Sequence, residues 1–394
     1  MFQSKQEQNR EARNMINFLI HYSKLMQIVL TAGGTGRHLF PLVPVARKLK
    51  EKLGTDIELM YIGYALEIEK KAMADENIPA KFVMAGKMRR YFSFLNFLDF
   101  FKVPIGFFQS LFFLLKFMPD VVFAKGGYVS FPVVLAAWCY RIPILIHESD
   151  ATPGASNQIL AKFSNRIAIS YPSEYNYFPV TKTVMTGNPI REEVFAGNAE
   201  GARKYFNLTE SKPTILVLGG SQGSRTVNNA IIEILPKLLP IAQIIHQTGE
   251  NNFTEVVRMA GEQGVKPGHD GYCPVKFLEG ELLPNSFAAA NLVISRAGAN
   301  SIAEIAANGK PSIFIPLEHS ANNHQRLNAY KIAEIGGALV LEETNLGENI
   351  LMEKIEKILF DSELSRTMSE KVKAFYHSDA PDKIAEGLIE LGNE

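Results

Sequence analysis

Short apolar runs alternate with helix-length segments along most of the chain. "QIVLTAGGTGRH" is an apolar run that ends at glycines and leads into the helical pattern "LVPVARKLKEKL". "TILVLGGSQGSR", which starts at Thr214, repeats this order and precedes "VNNAIIEILPKLL". Strands that are apolar on both faces and separated by helices form parallel sheets covered on each side. The pattern therefore predicts two βα units, each of which opens with a glycine loop.

Further apolar runs extend both units, among them "IELMYIG", "VVFAKGG", "ILIHES", "LVISRAG" and "SIFIPL". They predict an α/β protein with two Rossmann-like domains that face one another. Gly, Asn and Pro interrupt the pattern in "TGNPIREEV", residues 186–194, which places the join there. We therefore expect one domain over residues 26–190 and a second over 191–394. A last helix, from about residue 380 and including Asp382, is expected to pack back on the first domain.

Residues 1–25 form a polar, charged lead-in, and their apolar piece "MINFLI" is too short for a signal-peptide core. We expect an extension without a structural role, with Met15 or Met26 as alternative start sites.

One segment, from Arg89 to Phe117, breaks the alternation because it holds ten of the 26 Phe. Its uncharged run, Val103–Leu115, is too short to span a bilayer. Aromatic and aliphatic residues beside Arg and Lys suit a helix that lies in an anionic membrane interface. A buried core helix with a few solvated lysines is the alternative. The candidate membrane patch comprises Phe100, Phe101, Phe107, Phe108, Phe112 and Phe113.

The composition is that of a globular protein, with 46% hydrophobic residues. Lys+Arg and Asp+Glu both number 41, so no overall basic charge points to nucleic acid. Cys139 and Cys273 are isolated and outside any metal-binding spacing, which fits a reduced cytoplasmic compartment and predicts two small core residues.

The two glycine loops are candidate anion sites. Unpaired N–H groups and a partial positive charge at a helix N-terminus attract phosphate, and glycine leaves room for it. In "GGSQGS", residues 219–224, Ser221 would add a hydroxyl donor. A single glycine loop is weak support, because many βα turns need glycine only for packing. Two such loops with polar tips favour a nucleotide or another phosphorylated ligand.

A third candidate lies in "SRAGANSIAEIAANGKPSIFIP", residues 295–316. A strand ends at Ser295 and a helix is expected to begin near Ser301, which places Glu304 in its first turn. Its carboxylate could accept hydrogen bonds from a ribose diol, or serve only as a capping group. Downstream, His324, Gln325 and Asn328 form a polar cluster suited to sugar hydroxyls, although such residues are common on surfaces.

His38 follows the first glycine loop directly. A histidine there can act as a general base near neutral pH, although a histidine at a helix start often only caps or faces solvent.

Seven motifs, in order from about Met26 to the C-terminus, carry a resemblance to a known family. They are "GGTGRH", "KGGYVSFP", "HESDATPGASN", "TGNPIRE", "GGSQGS", "SRAGANSIAE" and "HQRLNA". On these the chain resembles the MurG family, the β-N-acetylglucosaminyltransferases of peptidoglycan synthesis. The resemblance implies a GT-B architecture with the active site in the cleft between two Rossmann-like domains. It also implies the donor UDP-N-acetylglucosamine (UDP-GlcNAc), the acceptor lipid I, the product lipid II and a peripheral position on the cytoplasmic face of the cell membrane.

The resemblance also implies residue roles. His38 would be the base for the acceptor 4-hydroxyl, and UDP would leave with inversion, stabilised by helix N-termini, with no cofactor and no metal. Ser221 would face the diphosphate, Leu278 the uracil through its backbone, Glu304 the ribose and Gln325 the GlcNAc hydroxyls. The remaining donor-site residues implied are Thr35, Gly36, Arg37, Asp150, Arg191, Ala299, Asn300, Ser301, Ile302 and Ala303. The acceptor and phosphate loops would comprise Gly33, Gly34, Gly126, Gly127 and Tyr128.

Two positions depart from the family pattern. Arg37 stands where the family usually has Gly. This predicts either a strained backbone at Arg37 or binding of an acceptor phosphate by its side chain. Asp150 occupies a position that is often Asn, which puts its donor contact in doubt. Alternatives are a GT-B enzyme on another lipid acceptor such as diacylglycerol, a UDP-sugar 2-epimerase and a catalytically inactive UDP-sugar-binding protein. An NAD-dependent dehydrogenase is disfavoured because neither loop reads G-x-G-x-x-G.

Overall fold

A computed structural model describes residues 25–34, 36–86, 94–220 and 223–394. These residues form two parallel β-sheets. The first, in the order β3-β2-β1-β4-β5-β6-β7, comprises β1 (Met26–Thr31), β2 (Ile57–Gly63), β3 (Ala80–Phe82), β4 (Val121–Ala124), β5 (Ile144–Glu148), β6 (Arg166–Ile169) and β7 (Thr183–Met185). The second, in the order β10-β9-β8-β11-β12-β13, comprises β8 (Thr214–Leu218), β9 (Gln243–Gln247), β10 (Tyr272–Val275), β11 (Leu292–Ser295), β12 (Ser312–Phe314) and β13 (Ala338–Val340).

Helices cover the sheets. Those in the N-terminal half are α1 (Gly36–Leu39), α2 (Leu42–Leu53), α3 (Glu67–Asp75), α4 (Phe94–Phe117), α5 (Ser130–Cys139) and α6 (Ala155–Leu160). Those after the first sheet are α7 (Ala199–Phe206), α8 (Arg225–Leu238), α9 (Phe253–Glu262), α10 (Leu282–Ala289), α11 (Ala299–Ala307), α12 (His324–Glu334), α13 (Glu348–Phe360), α14 (Ser362–Ala374) and α15 (Ala380–Asn393).

The strand order reverses beside the strand that precedes each glycine loop. β1 pairs with β2 on one side and β4 on the other, and β8 pairs with β9 and β11. All residues of β4, β5 and β8 are buried, as expected for strands covered on both faces. In such sheets, ligands bind at the carboxyl ends of the strands, where the order reverses. The predicted α/β class with two Rossmann-like domains is confirmed, and both glycine loops lie at such positions.

The last helix, α15, packs on the N-terminal half. Ile384, Ala385, Leu388 and Leu391 belong to the same buried cluster as residues of β1 and α2. The chain therefore crosses back to its first sheet after completing the second. Between β7 and β8, Gly187 adopts a positive φ of 87°. The proposed division at residue 190 lies within this connection and stays a prediction.

Helix α4 contains the Phe-rich segment and presents two different faces. Gly106 lies so close to the preceding connection that a Cβ atom there would stand 1.8 Å from the Met84 carbonyl oxygen. Gly106, Ser110 and Leu114 form the buried face. On the other face Ile105, Phe108, Phe112 and Leu115 are 46–67% exposed, and we call these four residues the α4 stripe. Within the described ranges, no helix is both long enough and apolar enough to cross a membrane.

The structure differs from the predictions for three residues, two Phe and one Cys. Phe107 and Phe113, expected in the membrane patch, are partly buried against the core of the N-terminal half, because the helical repeat turns them away from the stripe. Cys273 is buried as predicted, but Cys139 is exposed at the end of α5, so its prediction as a core residue is wrong. The side chains of Phe100 and Phe101 lie outside the described part of the structure, as do residues 1–24.

Candidate active site

The first glycine loop packs against the loop after β4. A Cβ atom on Gly33 would stand 2.2 Å from the Val129 side chain, and one on Gly34 would stand 2.4 Å from the Tyr128 ring. Gly127 has a φ of 86°, and its added Cβ would lie 2.4 Å from the Gly33 carbonyl oxygen. Glycine at these positions is therefore explained by close packing and, at Gly34, Gly126 and Gly127, by a positive φ. Their predicted role as phosphate loops stays a prediction, and Thr35 lies outside the described residues.

A buried carboxylate that the sequence did not reveal holds this loop. Glu69, on α3, is 0% exposed and accepts a hydrogen bond from the Gly34 N–H at 3.2 Å. It also accepts from the Tyr64 N–H at 2.7 Å and from the Tyr61 hydroxyl at 2.9 Å. The Gly34 N–H is thus engaged from inside the protein. No sequence signal separates Glu69 from the other charged residues of its helix.

His38 lies on the short helix α1. Burial, followed by the positive charges of Arg37 and Lys125, holds the pKa of its imidazole well below the ordinary value. Its buried Nδ1 makes no hydrogen bond with any residue that the structure describes. The imidazole is therefore neutral at pH 7, as a proton acceptor must be.

Lys125 is a second residue that sequence reasoning missed, although its motif "KGGYVSFP" was noted. Its side chain is 1% exposed, and its ammonium group donates to the Ser149 hydroxyl at 3.0 Å. Burial lowers the pKa of His147, and the charge of Lys125 lowers it further. Lys125 thus places a buried cation at the carboxyl ends of β4 and β5, where the carboxylates of Glu148 and Asp150 are also buried.

Arg37 lies between the two halves of the molecule. Its guanidinium stands 3.5 Å from an Asp150 oxygen and 3.1 Å from His324 Nε2, while its carbonyl accepts from the Asn300 side chain at 3.3 Å. Because α1 is helical, Arg37 is not among the residues of positive φ. The predicted backbone strain is therefore wrong.

Asp150 and Asn328 form a second bridge between the halves. The Asn328 amide donates to Asp150 Oδ1 at 2.9 Å and accepts from the Ala151 N–H at 2.7 Å. Asn328 is 0% exposed, so it does not lie on a surface open to sugar hydroxyls. Gln325, predicted to bind the same sugar, is partly buried, and its oxygen accepts from the Leu317 N–H at 3.1 Å.

The second glycine loop leads into α8 through a capped helix start. Ser224 is the N-cap and accepts from the Val227 N–H at 3.3 Å. The buried guanidinium of Arg296 donates to the Ser224 hydroxyl at 2.6 Å and to Glu343 at 2.5 Å. Arg296 lies within "SRAGANSIAE" and was missed by sequence reasoning, while Ser221 lies outside the described residues.

Helix α11 begins two residues earlier than predicted. Gly298 is its N-cap and Ala299 its first residue, so Glu304 lies in the second turn and not in the first. Burial raises the pKa of the Glu304 carboxyl to about 7, although the nearby charge of Arg191 lowers this pKa. The Arg191 guanidinium lies 4.9 Å from the centre of the Phe40 ring, next to α1. Ala299, Ile302 and Ala303 are buried, and Asn300 and Ser301 are partly buried.

Leu278, the predicted uracil contact, is 2% exposed. Its backbone N–H donates to Gln247 Oε1 at 3.0 Å. This N–H is therefore engaged within the protein.

Comparisons with known proteins agree with this geometry. The model of the glycosyltransferase family 28 N-terminal domain matches residues 28–169, and that of the C-terminal domain matches residues 214–384. A transferase from Clostridium tetani is 39% identical over 84% of this chain and 88% of its own, and one from Lachnospira eligens is 40% identical over 86% and 92%. The crystal structure of Acinetobacter baumannii MurG superimposes with a TM-score of 0.72 at 25% identity, over 93% of this chain and 99% of its own.

The two family models, together with the two parallel sheets, thus define a glycosyltransferase with two Rossmann-like domains. More narrowly, the chain belongs to the family of the UDP-N-acetylglucosamine–N-acetylmuramyl-(pentapeptide) pyrophosphoryl-undecaprenol N-acetylglucosamine transferases. UDP-GlcNAc 2-epimerase from Neisseria meningitidis shares the fold, with a TM-score of 0.68 at 15% identity over 93% of this chain and 100% of its own.

Proposed function

We propose that this chain transfers N-acetylglucosamine from UDP-GlcNAc to the 4-hydroxyl of N-acetylmuramic acid in lipid I, forming lipid II. The relatives that carry this activity in their names match most of the chain at 38–40% identity. The observation that carries the proposal is the place of His38. It lies beside Arg37, whose carbonyl accepts a hydrogen bond from Asn300 near the start of α11, so the candidate base is next to a residue that contacts the candidate donor helix.

In the proposed reaction His38 takes the proton of the acceptor 4-hydroxyl. The freed oxygen attacks C1 of the donor sugar, the bond from C1 to the β-phosphate oxygen breaks, and UDP leaves as an anion. Attack from the face opposite the leaving group inverts C1. A neutral imidazole suits this step, and such a base contributes about 10²–10⁴ in rate. The N-terminus of α11 and the second glycine loop would stabilise the leaving diphosphate.

The donor would lie on the second sheet, with Glu304 at the ribose, Leu278 at the base and Gln325 at the sugar. Arg191 would lie at the junction of the two halves, because its guanidinium stacks on Phe40 of the first half and its charge acts on Glu304 of the second. The other donor residues stay as the resemblance implies them. For the uracil, the engaged N–H of Leu278 leaves its carbonyl as the group for the pyrimidine N–H.

We further propose that the α4 stripe rests on the cytoplasmic face of the cell membrane, where a lipid-linked acceptor is found. An exposed apolar stripe that extends over eleven residues is costly in water and favoured in a membrane interface. Trp138 and Tyr140 extend it from the end of α5, and they are 51% and 41% exposed. The Tyr140 hydroxyl contacts the Leu111 carbonyl of α4 at 3.4 Å. Trp and Tyr favour such interfaces.

The decisive experiment measures UDP release from UDP-GlcNAc by the purified chain, with and without a lipid I analogue. We expect release that depends on the acceptor and falls about 10²–10⁴-fold in His38→Ala, with UDP affinity retained. His269→Ala, which changes an exposed histidine away from the cleft, serves as control and should keep full activity.

Acceptor-dependent release that survives in His38→Ala would remove His38 from the base role. Release with diacylglycerol but not with the lipid I analogue would favour the other lipid acceptor. UDP-GlcNAc binding without release under either condition would favour the inactive binding protein.

A further inference from the structure

The side chain of Gln247 joins two separate segments at the edge of the second sheet. It is the last residue of β9 and is 5% exposed. Its Oε1 accepts from the Leu278 N–H at 3.0 Å, and its Nε2 donates to the Gly220 carbonyl at 3.3 Å. One amide thus connects two loops that follow different strands.

Both segments belong to the proposed nucleotide site. Gly220 lies in the second glycine loop with a φ of 85°, and its carbonyl also accepts from the Gly223 N–H at 3.1 Å. The backbone of Gln247 supports the same loop, because its carbonyl accepts from the Gly219 N–H at 3.4 Å. Leu278 lies on the segment after β10 where the base is expected. Gln247 therefore contacts the diphosphate end and the base end of the site together.

We propose that Gln247 is a positioning residue that sets the distance between the base-binding segment and the diphosphate-binding loop. The inference rests on the proposed function, because that function places a uridine diphosphate across these two segments. The contact needs an acceptor for one backbone N–H and a donor for one backbone carbonyl. A side-chain amide supplies both, whereas an ionised carboxylate only accepts.

Calorimetric binding of UDP to the full chain tests this. In Gln247→Met both hydrogen bonds are lost while the side chain keeps a similar length. The two segments are then no longer held together before UDP binds, so binding must order them, and we expect about a tenfold loss of UDP affinity. Uridine affinity should fall less, because uridine does not span both segments.

A matched control lies on the same strand. Gln243 is 3% exposed at the start of β9, and its amide donates to the Thr209 and Lys212 carbonyls, at the end of the sheet away from the cleft. Gln243→Met should lower thermal stability at least as much as Gln247→Met, because the Gln243 side chain also accepts from the Thr209 N–H and donates to the Thr214 hydroxyl. It should leave the UDP affinity of the folded protein within about twofold of wild type.

Gln247→Glu adds a second measurement, the pH dependence of UDP affinity, which a simple loss of packing would not change. When ionised, the introduced carboxylate would accept from the Leu278 N–H but repel the Gly220 carbonyl. When protonated, the same group would regain a donor. The ratio of variant to wild-type UDP affinity should therefore rise as the pH falls from 8 to 5.5. Taking the ratio removes the titration of UDP and of Glu304, which both proteins share.

Any one of three outcomes would overturn the inference alone. Gln247→Met could bind UDP with wild-type affinity, or Gln243→Met could lose as much UDP affinity as Gln247→Met. The ratio of Gln247→Glu to wild-type UDP affinity could also stay constant with pH. A wild-type chain that does not bind UDP would instead overturn the proposed function, and the inference with it.

Discussion

At the scale of single residues, burial decides the chemistry of the cleft. His38 and Glu304 could be named from their motifs, but their protonation depends on what surrounds them. Glu69 lies in no motif, and the motifs that contain Lys125 and Arg296 do not single them out, because the importance of all three comes from contacts with segments distant in sequence. A single sequence shows the residue type at each position but not the partner that gives it a role.

The raised pKa of Glu304 leads to a pH dependence of donor binding. A pKa of about 7 means that the carboxylate is ionised above this pH and protonated below it. Only the ionised form offers its full acceptor capacity to the ribose diol, so UDP affinity should fall several-fold between pH 8 and pH 6.

Calorimetry over this range checks the expectation, with Glu304→Gln as control. The variant keeps an oxygen acceptor but does not titrate, so its profile reports the titration of UDP alone. Parallel profiles for wild type and variant would show that Glu304 does not set the pH dependence.

At the scale of elements, the hydrophobic pattern predicted most of what is observed. The predicted helix "LVPVARKLKEKL" is α2, Leu42–Leu53, and the predicted strand "IELMYIG" is β2, Ile57–Gly63. Local turn geometry was harder, since α11 begins at Ala299 and not near Ser301. A helix start depends on backbone angles at Gly298, which the residue type allows but does not require.

The exposed face of α4 leads to a prediction about membrane binding. Trp138, the single Trp of the chain, is half exposed at the end of α5, which packs against α4, and would report on contact with lipid. Its emission should shift to shorter wavelength with anionic vesicles. In the double variant Phe108→Gln and Phe112→Gln, vesicle affinity should fall at least tenfold, because each buried Phe contributes about 1.5–3 kcal/mol.

Phe360→Gln provides the matched control, since Phe360 is 67% exposed at the end of α13 in the other half. This variant should bind vesicles as wild type does, and all variants should keep their UDP affinity. Equal vesicle binding by the double variant would place the membrane contact elsewhere.

At the scale of the whole molecule, the last helix connects the end of the chain to its beginning. Leu388 of α15 is 0% exposed in the buried cluster that includes Met26 and Leu30. The stability of the first sheet therefore depends on residues from the far end of the chain. Bridges such as those of Arg37 to His324 and Asn328 to Asp150 join the halves again at the cleft.

Leu388→Ala should lower the free energy of unfolding by about 2–5 kcal/mol, because it leaves a cavity under α15. Hydrogen exchange should accelerate first in β4 and β5, which α15 contacts. Ile350 of α13 is 42% exposed, so the control variant Ile350→Ala should change the free energy of unfolding by less than about 0.5 kcal/mol. Faster exchange confined to the second sheet in Leu388→Ala would contradict this role.

The sequence by itself determined the α/β class, the two glycine loops, most element positions and the family, because these depend on local periodicity and on motifs contiguous in the chain. Only the tertiary structure decided that Arg37 bridges the halves without backbone strain, that Glu69 engages the Gly34 N–H and that Gln247 joins two loops. It also decided which Phe residues of α4 face outward. The physical reason is that burial and hydrogen bonding are properties of pairs of residues, and in a doubly wound fold those pairs come from distant strands.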